Sequence, residues 1–91
     1  MGLKSTTTCL GYQQITSLSS STALTVPAGA TLALIIPEAQ NVRWRDDGVA
    51  PTASVGMLVV ANSSMSYDGD LKAIRFIQQT ASAVLNVSYY A

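Results

Sequence analysis

Residues 41–51 read NVRWRDDGVAP and gather the side chains best equipped for chemistry. Four of the chain's ten charged residues, Arg43, Arg45, Asp46 and Asp47, occupy four of five consecutive positions, with the only tryptophan, Trp44, between the arginines. A planar guanidinium pairs with a carboxylate or phosphate through two parallel hydrogen bonds, and aromatic plus charged residues are what interfaces enrich. Strand alternation puts Val42, Trp44 and Asp46 on one face and Arg43, Arg45 and Asp47 on the other. Trp44 is therefore expected to anchor the core while both arginines project outward. Their partners are Asp47 and Asp68 of the same chain, carboxylates of a neighbouring chain, or a ligand such as sugar or phosphate. An exposed pair is worth only about 0–1 kcal/mol, so the cluster by itself does not select among these. Arg43, Arg45, Asp46, Asp47 and Arg75 are the candidate interface residues, and Trp44, Phe76, Leu85 and Val87 the candidate core anchors.

Elsewhere the search for chemistry comes up largely empty. Without histidine there is no Ser-His or Cys-His pair, and the single cysteine, Cys9, lies among threonines and a leucine with no neighbour to lower its pKa. Asp46 and Asp47 adjoin Gly48, and Asp68 and Asp70 flank Gly69; neither pair makes a calcium loop, and acidic residues beside glycine are ordinary turn chemistry. Asn62-Ser63-Ser64 and Asn86-Val87-Ser88 match the glycosylation acceptor pattern by chance in a chain with no secretion signal. No glycine pattern suits a nucleotide. Neither an enzyme, a cofactor, a metal nor a small-molecule substrate is expected.

Five basic and five acidic residues cancel, which leaves no footprint for nucleic acid. Hydrophobic residues make up 48% and charged residues 11%, against about 25% charged in an ordinary domain. Much of the surface is therefore uncharged. A chain of 91 residues has one modest core, and one cysteine with no histidine provides neither a disulfide nor a zinc site as a staple. Association is the support that remains, and a homo-oligomer, with a trimer favoured, is expected. The longest apolar run, Ala30 to Ile36, falls far short of the roughly 20 residues that span a bilayer. MGLKST fits the myristoylation consensus, with Thr6 at the hydroxyl position, but nothing else points to a membrane.

Apolar period two and frequent turn residues predict strands near Cys9 to Ile15, Ala23 to Val26, Thr31 to Ile36, Val42 to Asp46, Met57 to Ala61, Ser64 to Tyr67, Ala73 to Gln78 and Val84 to Tyr90. VPAG, DDG and YDGD supply turns, and the Ser/Thr stretch Thr16 to Thr22 reads as a surface loop. In AVLNVSYY, Leu85, Val87 and Tyr89 alternate with Asn86, Ser88 and Tyr90, giving one apolar face. TLALII does not alternate and suits a strand covered on both sides, by the opposite sheet and a loop or by another subunit. LKAIRFIQQ fits strand better than helix, although Leu71, Ile74 and Ile77 share a helical face. The fold expected is a single small antiparallel β-sandwich over residues 1–91, jelly-roll-like or Ig-like, of about eight short strands, with residues 1–8 as an N-terminal arm.

The run from LTVPAGATLALIIPEAQNVRWRDDGVAPTASVGMLVV through YDGDLKAIRFIQQTASAVLNVSYYA resembles small virion proteins of tailed bacteriophages. The likeness rests on an apolar strand after PAGA, an RWRDDG..PTAS.G segment and a final LNVSYY-like strand, over about residues 24–91. It implies a non-enzymatic capsid decoration or cement protein that bridges capsid subunits of the virion, assembled in the bacterial host cytoplasm. Its partners would be its own copies and the major capsid protein or another virion protein. A head-tail connector or tail protein, or a carbohydrate-binding module using Trp44, Tyr67, Tyr89 or Tyr90, are the alternatives. Arg43, Trp44, Arg45, Asp46, Asp47, Gly48, Pro51, Thr52 and Gly56 carry the likeness and also read as strand, turn and loop.

Overall fold

The computed structural model describes residues 7–91. Residues 1–6, most of the expected N-terminal arm, lie outside it. Eight strands follow in order: β1 (Cys9–Ile15), β2 (Thr22–Ala23), β3 (Leu32–Glu38), β4 (Val42–Arg45), β5 (Met57–Val59), β6 (Met65–Tyr67), β7 (Arg75–Gln78) and β8 (Val84–Tyr90). They form two four-stranded antiparallel sheets, β1-β8-β3-β6 and β2-β7-β4-β5, packed as a small all-β sandwich. Each of the predicted strands is present.

Period two organises the first sheet. Ala33, Ile35 and Pro37 of β3 and Leu85, Val87 and Tyr89 of β8 point inward and are buried. Val42 of β4 and Phe76 of β7 meet them from the second sheet, each fully buried. Burying a side chain of this size is worth about 1.5–3 kcal/mol, so Phe76, Leu85 and Val87 anchor the core. Tyr89 is sealed as well, and its hydroxyl donates to Gln13 Oε1 at 2.7 Å. Burial pushes its pKa up to about 12.

Local chemistry accounts for the places where elements end. In VPAG, Ala30 N donates to Pro27 O at 3.2 Å and Gly29 takes φ +85°, a turn conformation that side-chain-bearing residues rarely adopt. β3 continues past the expected end at Ile36 through Pro37 to Glu38. Pairing on the β6 side covers only Ala33 to Ile35, so the proline's missing N–H interrupts no ladder there. β2 is shorter than expected, yet Leu24 is buried and Val26 packs on the core. The segment from Leu71 combines both readings: Ile74 N donates to Asp70 O in a single helical turn, and strand begins at Arg75. Leu71 and Ile74 are buried by that turn. The Ser/Thr stretch is a loop pinned by Leu18, fully buried, whose carbonyl accepts from Gln78 N at 2.9 Å. A register shift between Cys9 and Gly11 puts a bulge in the outer strand β1.

Candidate functional site

Two regions of the surface are built unlike ordinary exterior. The first begins where β4 ends. Arg43 and Arg45 share the outer face of the second sheet, as alternation requires, but their side chains are engaged differently. Arg43 reaches across to the loop before β5, where Nε donates to Ala53 O at 3.1 Å and Nη1 to Gly56 O at 2.9 Å. It fastens that loop to the sheet. Arg45 pairs with Asp47 two residues on, through Nε to Oδ1 at 3.0 Å and through Nη2 to Oδ2. Their mutual hydrogen bonds raise the arginine's pKa and hold the Asp47 carboxyl below its ordinary value. The pair also softens a like-charge juxtaposition, because Arg45 and Arg75 stand opposite each other on β4 and β7. Both guanidinium groups are thus used inside the chain. Within the chain, Arg43 clamps a loop and Arg45 takes Asp47, and among the described residues Asp68 makes no bond to either arginine.

Asp46 turns the other way. Its Oδ2 accepts from the Tyr67 hydroxyl at 2.6 Å, and Tyr67 meets Trp44 edge-on with ring centroids 5.8 Å apart. Burial and the Asp46 carboxylate together push the Tyr67 pKa up to about 12. Trp44 packs against the core from its rim and stays half-buried, because β4 stops one residue later and the sandwich opens there. It is a rim residue rather than the sealed anchor expected. Gly56 completes the arrangement with φ +146°; a Cβ there would lie 3.1 Å from both Arg43 Cβ and Trp44 O. Only glycine lets the loop come this close. The result is an open cleft of about 550 Å³ lined by Trp44, Arg45, Asp46, Asp47, Val55, Gly56 and Met57. The sequence signals Trp44, its charged neighbours and, among the candidate stacking aromatics, Tyr67; Val55 and Met57 are brought in by the loop and β5.

The second region is the outer face of the first sheet. Leu32, Leu34 and Ile36 run along β3 half-buried and outside the core, opposite Tyr90, Ser88 and Asn86 of β8. The edge strand β1 adds Tyr12, 63% exposed, and Gln14. Neutral polar groups lock one another: Asn86 Oδ1 accepts from Tyr12 Oη at 2.5 Å and from Gln14 Nε2 at 3.1 Å, and Asn86 Nδ2 donates to Glu38 Oε1 at 3.0 Å. Glu38, at the end of β3, is the one charged residue among these face positions. TLALII is therefore a strand whose inner side faces the core and whose outer side is an uncharged apolar strip.

Among the described residues no three of His, Cys, Asp and Glu gather as metal ligands, and no helix is long and apolar enough to cross a membrane. No protein-family model, curated protein or solved structure matches this chain.

Proposed function

We propose that the chain is a non-enzymatic structural subunit of a tailed-bacteriophage virion, a decoration protein that binds the assembled head and bridges subunits of the major capsid protein. The observation that carries this reading is the outer face of the first sheet, where an aliphatic strip, two tyrosines and hydroxyl and amide groups lie together with one charge at the margin. Such a face suits a large, flat, neutral partner, since apolar area is hidden and no charge must be desolvated. The resemblance of the RWRDDG and LNVSYY segments to phage virion proteins supplies the particle.

Size decides how the contact works. Strands of seven residues at about 3.3 Å each, set about 4.8 Å apart, give a face of roughly 23 by 17 Å. That is about half of the roughly 800 Å² that a standard stable interface takes from each partner. One copy would bind weakly, and many copies on a repeating shell would hold by multivalency. Contacts between copies add to this, a homotrimer giving each copy two like neighbours through one repeated contact.

The test is reconstitution of stripped heads with wild-type protein and with Leu34→Lys and Ile36→Lys. Both variants are expected to keep a cooperative melt, since their side chains lie outside the core, and to lose most bound copies. Superimposable binding curves for wild type and variants would sink the proposal, and binding to purified tails instead of heads would move the subunit along the particle.

A further inference from the structure

We infer that the cleft beside Trp44 is a binding site for a neutral saccharide, a role separate from shell adhesion and independent of it. Three features of the cleft point to that ligand class. Its aromatic wall is held in place, because Trp44, which lines the cleft, meets Tyr67 in a T-shaped contact and Asp46 in turn holds the Tyr67 hydroxyl. A pyranose ring lays its C–H face on such a surface, where the slightly positive hydrogens meet the negative face of the π system. The walls are fixed as well, since Arg43 clamps the loop at Ala53 and Gly56.

The polar rim then decides what kind of molecule fits. Asp46 has committed Oδ2 to Tyr67, and Arg45 has committed Nε and Nη2 to Asp47. Among the described residues nothing takes Asp46 Oδ1 or Arg45 Nη1, so the rim offers one acceptor and one donor. Neighbouring hydroxyls of a sugar satisfy both, one donating to the carboxylate and one accepting from the guanidinium. An anionic ligand is disfavoured, because Arg45 is already paired with Asp47 and Asp46 sets a further carboxylate in the lining. The cleft, at about 550 Å³, lies within the size range of small-ligand sites. Its lip is also apolar for solvent-exposed surface: Val55 is 53% and Met57 59% exposed, and both line the cleft. Apolar side chains concentrated around a concave polar site mark a binding surface.

Trp44 is the only tryptophan, so its fluorescence reports on the cleft alone. The full chain is titrated into the millimolar range with neutral oligosaccharides of glucose, xylose, mannose, galactose and N-acetylglucosamine, with tetramethylammonium and inorganic phosphate as controls. The expected result is a saturable spectral shift with at least one sugar, and amide chemical-shift changes confined to Trp44–Gly48 and Val55–Met57. Met57→Asp, an exposed position, should keep the melting temperature and weaken that sugar about tenfold or more. Trp44→Phe, which keeps a ring but removes the fluorophore, should weaken it less when followed by the amide shifts of Val55–Met57. No saturable response to any of the sugars, shifts that map elsewhere, or a stronger response to tetramethylammonium or phosphate would each overturn the assignment. Loss of head binding by the Leu34 and Ile36 variants with the sugar response intact would show the two sites to be separate.

Discussion

The outer face of the first sheet carries one charged side chain, Glu38, whereas the rim from Arg43 to Asp47 carries four of the chain's ten. The face is built from long strands whose backbone is paired on both sides over much of its width, and its polar groups bond to one another along the surface. The rim is built from a strand end and a loop, held by side-chain bonds to backbone carbonyls and by a glycine whose backbone strains any side-chain-bearing residue. The difference teaches how one small sandwich can carry two kinds of surface. Regular pairing makes a flat surface suited to another protein, and the interruption of pairing makes a concavity suited to a small molecule.

The comparison can be broken most forcefully at Gly56. Gly56→Ala puts a Cβ into Arg43 and Trp44 at a φ that side-chain-bearing residues rarely adopt. The expected cost is about 2 kcal/mol, which lowers the melting temperature of a domain this size by about 8–16 °C. Calorimetry measures the loss, and head binding below the new transition should persist while the environment of Trp44 changes. Next comes Arg43→Ala, which frees the loop by removing two hydrogen bonds from a charged group to backbone; about 1 kcal/mol is expected from chemical denaturation, with hydrogen exchange of residues 53–56 accelerated.

Tyr67→Phe sharpens the electrostatic side of the comparison. At neutral pH it should cost about 0.5–1 kcal/mol, for the bond to Asp46. Its larger signature lies at alkaline pH. Tyr67 and Tyr89 both have folded pKa values raised from 10 to about 12, so the stability they contribute is fully present below pH 10 and lost as pH rises toward 12. Thermal melts from pH 9 to pH 12 should show that decline in wild type and a shallower one in the variant. The smallest effect is expected of Arg45→Ala. Its pair with Asp47 is exposed and screened by solvent, so the melting temperature should not move and salt should make no difference.

Those last two arginine variants show how far the sequence can be read. Alternation places Arg43 and Arg45 on the same face, and the eight strands follow from period two because each sheet has one buried side. Asp47, two residues on, was legible as a partner and Arg45 takes it, but the partners of Arg43 were not legible in that way. Arg43 is satisfied by carbonyls ten and thirteen residues away, in a loop whose path depends on Gly56. Asp46 and Tyr67 meet across 21 residues only because β6 and β4 belong to facing sheets. Leu18 was hidden for another reason: a lone leucine among serines and threonines has no period to betray that it is buried. Pro37 reads as a strand end, and continues only because its N–H side has no strand to pair with.

That proline and the bulge in β1 bear on solubility. A sheet with a sticky face risks growing sideways, each free edge recruiting another chain until insoluble fibres form. Here one border strand is kinked between Cys9 and Gly11, and the opposite border, β6, is only three residues long. Beyond it β3 shows an imide nitrogen with no hydrogen to offer and a carbonyl already taken by Asn62 N at 2.7 Å. Both margins of the sheet thus carry features that disfavour lateral polymerisation. Removing those guards, with Pro37→Val for instance, should make the protein precipitate during expression, as the soluble fraction measured against wild type would show.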